Sequence, residues 1–324
     1  MNTLCVVKTV LYPKHLIVFC CNVCQSIALH SLATYWFSDL QKKTILPDSD
    51  IKFTGNVTWV GSSSIEVLMH MSQYCDGNFN LVLDATFLLV ARDTENQRAA
   101  YVNPLKLENK AEEDIFRKGQ LNKRRRISLK ETSLLRKAPN EEERKIIHEL
   151  FLHTLDPRTV SFSGRILPQN AKWMEDTRLK SLEMCHPKEH SIHRNIFGGF
   201  LMKKAFELSW ANACMYIKSR PSEVFVDNIL FHRPVEIGSL LYLSSQVCYT
   251  ERNFIQIRVH SEVVDPLTLE RKTTNVFHFT FSSDKEAPKV FPKTYGESML
   301  YLDGKRHYKA SIKGICENLY FTSD

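Results

Sequence analysis

Residues His190–Trp210 read HSIHRNIFGGFLMKKAFELSW, and the stretch concentrates the side chains and backbone that could do chemistry. Two glycines, Gly198 and Gly199, stand at the mouth of an apolar-faced helix with few helix breakers. The first N–H groups of a helix lack intrahelical partners, and glycine lets a ligand oxygen approach them without meeting a Cβ. Such a mouth can hold a carbonyl oxygen as it becomes an oxyanion, a contact worth about 3 kcal/mol in hydrolases. The competing reading is that Gly199 only lets the helix pass close to a sheet. Phe200 follows as a candidate substrate-binding residue. Glu207 offers a carboxylate able to accept a proton, and Asn195 an amide able to donate to and accept from water. A solvated glutamate and a capping asparagine are the plainer alternatives. His186, His190 and His193 crowd the preceding loop; Pro187 and the lack of an evident carboxylate partner weigh against a metal site, which leaves a solvated loop or His193 as a replacement base.

The helix should run from about Gly199 to Lys218, followed by strands near Phe225–Phe231, Leu240–Tyr249, Phe254–Val263 and Thr273–Phe281. In these strands Ile255, Ile257 and Val259, and then Phe277, Phe279 and Phe281, alternate with other residues. One helix and an antiparallel sheet result. The earlier half repeats the sheet. Ile65, Val67 and Met69 lie on one strand, and Ala85, Phe87, Leu89 and Ala91 on another. NVTWVGSSSIEVLMHMSQ from Asn56 aligns with RPVEIGSLLYLSSQVCYT from Arg233, placing Gly61 on Gly238. No counterpart of the Gly-Gly helix precedes Ile51. The apolar segment Leu16–Phe37 stands there, and its Ile27, Leu29, Leu32 and Trp36 have near-helical spacing, so it is expected to substitute as a core helix. Without one, Val57, Ile65, Val67, Phe87 and Leu89 would lose their packing partner. Residues 103–180 are charged and helix-prone, a connector whose Ile146, Ile147, Leu150 and Leu152 could cover a neighbour. Its basic run Lys123–Arg126 reads as a solvated face or loop, with a role in holding a phosphate as the alternative.

At 324 residues and 43% hydrophobic composition, the chain can build two ordinary domains with real cores. The net charge of +7 permits a polyanionic partner, but there is no zinc-finger spacing, aromatic-basic repeat or phosphate-loop glycine pattern. Nucleic acid is therefore not an expected partner. Nine scattered cysteines argue against a disulfide framework, and the Cys20, Cys21 and Cys24 cluster lacks the second pair of a zinc site. The first 38 residues carry no acidic side chain. Their apolar stretch is interrupted by Asn22, Gln25 and His30, so a targeting segment fits better than a stable membrane span.

IFGGFLMKKAFELSWANAC, RPVEIGSLLYLSSQVCYTERNFIQIRVHSEV, TTNVFHFTF and VFPKTYGESMLYLDG resemble the second domain and C-terminal extension of the double hotdog acyl-coenzyme A thioesterase family. GNVTWVGSSSIEV, VLDATFLLVARD and AAYVNPL resemble the sheet of its first domain. The resemblance runs from about Asp50 to His307. It implies an α+β tandem hotdog, in which paired antiparallel sheets each wrap a long helix. The corresponding boundaries are residues 1–50 for a divergent apolar segment, 51–102 for an incomplete first hotdog domain and 103–180 for the connector. The second hotdog domain takes 181–282 and the extension 283–324.

Hydrolysis of fatty acyl-CoA to fatty acid and CoA is the implied activity, with no cofactor and no metal. In the family a carboxylate on one domain's helix activates water, while an amide before the other domain's helix orients it. Glu207 is the candidate base, one residue after the commonest position, which Phe206 occupies. Asn195 is the candidate amide. The resemblance also implies a homo-oligomer and a mitochondrial matrix location. A degenerate chain that binds acyl-CoA or pairs with a paralogue without hydrolysis is the main alternative, and a hotdog dehydratase or assembly module a further one.

Overall fold

The computed structural model describes residues 5–7, 34–40, 49–91, 98–159, 162, 164–189, 195–226, 229–231 and 233–321. Among them, one antiparallel sheet of 11 strands runs through both halves of the chain. Its strands are β1 (Cys5–Val7), β2 (Thr34–Leu40), β3 (Ile51–Val60), β4 (Ser64–Cys75), β5 (Asn78–Val90), β7 (Leu179–Met184), β8 (Ser222–Val226), β9 (Ile229–Phe231), β10 (Leu240–Glu251), β11 (Phe254–Val264) and β12 (Arg271–Ser282). The order is β1-β3-β4-β5-β2-β9-β12-β11-β10-β7, with β8 also on β12. Two further strands, β6 (Ala171–Trp173) and β13 (Lys289–Phe291), pair in parallel apart from it.

The second half carries the expected helix. α3 is the helix Gly198–Ile217; Leu201, Met202, Ala205, Leu208, Ser209, Asn212, Ala213 and Tyr216 recur at helical spacing and are buried. It ends where Lys218 turns left-handed at φ 55°. The sheet meets it with period-two side chains: Leu241, Leu243 and Val247, then Ile255, Ile257 and Val259, then Phe277, Phe279 and Phe281, all buried. The polar groups taken into this core are satisfied. Asn212 Nδ2 donates to the Thr177 carbonyl at 2.9 Å and to Ser245 Oγ at 2.8 Å.

In the first half, Phe87 and Leu89 are buried in the same continuous core as α3, whereas Val57 is 43% exposed. The opposite face is covered by the connector. Its helix α1 (Lys110–Glu131) is capped by Asn109, which accepts from the Glu112 N–H. Gly119 lies so close to Trp59 that a Cβ would come within 2.3 Å of the indole side chain. Glu66 is 2% exposed and sits under the same helix. It receives Arg126 Nη1 at 2.8 Å, Asn122 Nδ2 at 3.1 Å and the Thr58 hydroxyl at 3.3 Å. The basic run is therefore not wholly a solvated face. Lys123 lies over Trp59 at 5.2 Å, and Arg126 neutralises a buried carboxylate. Helical spacing turns these two side chains inward, and the buried acid that fixes Arg126 lies 60 residues earlier.

The second connector helix, α2 (Glu141–Leu152), begins with a capping box between Asn140 and Glu143. Ile146, Ile147 and Leu150 are half-buried, and Leu152 is exposed. Arg306 holds Glu143 with two bonds of 2.7 and 2.8 Å, tying α2 to the C-terminal helix α4 (Tyr295–Phe321). α4 lies against β10 and β11 on the face opposite α3. Gly304 makes the approach possible, since a Cβ there would fall 2.6 Å from Cys248 Sγ.

The helical reading of Leu16–Phe37 fails at its end. Thr34–Leu40 is strand β2, which pairs with β5 through Trp36↔Thr86 and with β9 through Tyr35↔Ile229. Residues 8–33, with the Cys20–Cys24 cluster, lie outside the described residues. No described helix is long and apolar enough to cross a membrane.

Candidate active site

Asn195 forms an isolated bridge with Glu236, and the Ile196 N–H donates to the Val235 carbonyl at 2.7 Å. This short pairing leads the chain into α3. Phe197 is the residue before the first helical turn and makes no side-chain cap. Its carbonyl accepts from the Phe200 N–H at 3.0 Å and the Leu201 N–H at 3.4 Å. The N–H groups of Gly198 and Gly199 precede these, in the position where a helix leaves donors without intrahelical acceptors. At Gly199 a Cβ would fall 2.4 Å from the Phe197 ring, so its small size is what lets that ring fold over the helix mouth. Close approach thus accounts for Gly199 sterically, and among the described residues neither N–H has a hydrogen-bond acceptor.

Glu207 lies elsewhere. It is nine positions along α3 from Gly198, about 13 Å at the helical rise. The chain therefore brings together Asn195, Gly198, Gly199 and Phe200, and separates Glu207 from them. The Glu207 side chain is 41% exposed and lies 3.7 Å from Lys204 Nζ, one turn earlier. Lys204 also reaches Glu183 on β7 at 3.3 Å. Sequence reasoning does not single out Lys204 or Glu183; the three-residue spacing to Glu207 is the available signal for the lysine, and no local signal marks the glutamate. Phe206 points into the core, packing at 5.8 Å from Phe279 and 6.1 Å from Phe281.

Of the loop histidines, His186 is exposed, and His190 and His193 lie outside the described residues. The described residues place His278, Asp303 and His307 together instead, between β12 and α4. Each imidazole Nε2 lies 3.7 Å from a different oxygen of Asp303, and the rings stack at 3.7 Å with an 18° angle. Stacked rings aim their nitrogens side by side rather than at a common point. His278 Nδ1 is buried without a hydrogen-bond partner, whereas a metal-bound imidazole ordinarily anchors its second nitrogen. Burial holds the His278 pKa well below the usual histidine range, with His307 and Arg258 adding to the effect. This cluster is better built to dock α4 than to coordinate an ion.

The antiparallel sheet wrapped around α3, with a second sheet continuous with it, defines an α+β protein of the hotdog class. A solved structure described as a putative oleoyl thioesterase from Lactobacillus plantarum shares this fold with a TM-score of 0.51 at 9% identity, over 87% of this chain and 96% of that one. By sequence the chain is a relative of the mitochondrial acyl-coenzyme A thioesterases 9 and 10. It is 60% identical to acyl-coenzyme A thioesterase 9 of Bos taurus over 272 residues, 84% of this chain and 62% of the relative. It is 61% identical to acyl-coenzyme A thioesterase 10 of Mus musculus over 273 residues, again 84% and 62%. The chain thus spans less than two thirds of the length of these curated relatives. No family model matches it.

Proposed function

We propose that this chain hydrolyses acyl-CoA thioesters to free fatty acid and CoA. The observation that carries the reading is its 60% identity to a protein named as an acyl-coenzyme A thioesterase, over 84% of the chain. The fold supports it by presenting a helix mouth, whose first N–H groups lack intrahelical acceptors, beside a sheet-covered core. In this reading the Glu207 carboxylate takes a proton from water as the water oxygen bonds to the thioester carbon. The carbonyl oxygen becomes an oxyanion held by the helix-mouth N–H groups of the unit that completes the site, as Gly198 and Gly199, with Phe200 lining the substrate, would hold it in a second site. Collapse breaks the carbon–sulfur bond, and the departing CoA thiolate takes up the proton. Asn195 orients water in that second site. Because about 13 Å separates Gly198 from Glu207 along α3, Asn195 at the helix mouth and Glu207 serve different sites, each completed by another hotdog unit.

No cofactor is required for this chemistry. A homo-oligomer and a mitochondrial matrix location belong to the same proposal; relatives named as mitochondrial support the organelle. The proposal gives nucleic acid and stable membrane insertion no part. The second reading is a chain that binds acyl-CoA, or pairs with a paralogue, without hydrolysis. Phe206 at the commonest position of the acid, and Glu207 engaged by Lys204, favour it. Turnover assays on parent and Glu207→Gln separate the two: efficient release of CoA that the substitution abolishes supports hydrolysis, and acyl-CoA binding without release supports the second reading.

A further inference from the structure

The face of the second sheet opposite α3 is covered only in part by α4, and beside Leu300 it opens into a groove of about 280 Å³. Cross-strand pairing builds the floor. Lys180 lies opposite Ser244, which lies opposite His260, and Gln246 lies opposite Arg258. Four cations line the groove, Arg178, Lys180, Arg258 and Arg271, against a single lining carboxylate, Glu262. Two are already matched: Arg271 lies 3.7 Å from Glu262, and Arg178 lies 3.4 Å from Glu297. Lys180 and Arg258 have no carboxylate or hydrogen-bond acceptor among the described residues, and Arg258 is half-buried. A guanidinium drawn partly out of water without an acceptor is unfavourable unless an anion completes it.

We propose that this groove binds a small phospho-anion carrying two or more negative charges. The planar fork of Arg258 suits phosphoryl oxygens, Lys180 supplies a point charge, and the hydroxyls of Ser244 and Tyr242 line the same space. A neutral or cationic ligand would leave Arg258 uncompensated, and the volume limits the occupant to a small molecule or one phosphorylated end of a larger one. The site lies across the sheet from the mouth of α3. It does not depend on the chain being a hydrolase.

Calorimetric titration of the full chain with sodium pyrophosphate, at constant ionic strength and with sodium chloride as control, tests the proposal. Saturable binding to the parent is expected, weakened about tenfold or more in Arg258→Gln, as for loss of a charge-assisted contact. Lys180→Gln, an exposed position on the edge strand that leaves folding intact, should weaken it as well. Lys106→Gln, outside the groove, should not. No saturable heat in the parent, or equal affinities in all three variants, overturns the proposal. Titrations of ADP and of CoA identify the source of the phosphate. Sensitivity of either one to Arg258→Gln assigns its phosphates to the groove, and sensitivity of pyrophosphate alone assigns the inorganic anion.

Discussion

At the scale of single residues, two neighbouring positions on α3 have opposite fates. Phe206 is committed to the core against Phe279 and Phe281, whereas Glu207 reaches water beside Lys204. One helical step of about 100° separates them, so the carboxylate cannot be moved back one position without opening the core. Glu207→Gln should therefore leave the unfolding midpoint unchanged and lower kcat by a factor of about 10² to 10⁴, the span of general-base catalysis. Equal kcat in both proteins would remove Glu207 from the chemistry. Gly199→Ala should behave differently. Its Cβ must displace the Phe197 ring, which is expected to cost about 1–3 kcal/mol as overpacking, and urea unfolding measures it. The identity of these residues was legible in the sequence because glycine at a helix mouth and a carboxylate further along the same helix are local signals. The pairing of Lys204 with Glu183 was not, since it joins a helix to a strand laid down earlier in the chain.

Among elements, the hairpins and α3 were legible from period two and period 3.6, because burial on one face writes itself into the sequence. The aligned glycines Gly61 and Gly238 carry a subtler lesson. Gly238 adopts φ 86° with open space around it, while Gly61 is required by the Trp59 ring, which a Cβ at Gly61 would approach to 2.5 Å. Similar sequence there serves two physical needs. The polar contacts of α1 were hidden for another reason: Glu66 sits in a strand as an acidic residue that reads as solvent-facing until Arg126 and Asn122 are brought over it. Breaking that buried pair with Arg126→Ala should cost about 3–5 kcal/mol in a denaturant titration, because Glu66 is left without its countercharge. The α2–α4 contact makes a pH prediction. Hydrogen bonding from Arg306, aided by the Asn140 backbone, holds the Glu143 carboxyl below its ordinary value. A depressed carboxyl contributes stability that is complete above its unfolded pKa of about 4.3 and is lost as the pH falls through the folded value. The gap in melting temperature between the parent and Arg306→Gln should thus be steady near neutral pH and close as the solution is acidified below about pH 4. A gap independent of pH would contradict the role given to Glu143.

For the whole molecule, the repeated sheet and the single Gly-Gly helix in the sequence point to two unequal halves, and β2 carries one continuous sheet across the chain. Thr34–Phe37 reads as the end of a helix in the sequence because Trp36 continues the spacing of Ile27, Leu29 and Leu32, whereas its strand pairing is with residues far along the chain. Two buried thiols illustrate how the finished fold, not the sequence, sets reactivity. Burial pushes Cys185 up to about 11 and raises Cys248 further still, so peptide mapping after iodoacetamide treatment at about pH 8 should find both unmodified in the folded chain. The central claim is the proposed hydrolysis of acyl-CoA by this chain, which spans 62% of the length of the relatives it resembles. The most direct measurement is CoA release from a series of short to long acyl-CoA substrates by the purified chain beside its Glu207→Gln variant. The account predicts release by the parent that is lost in the variant; a folded parent that releases no CoA, or a variant that releases it equally well, would contradict it.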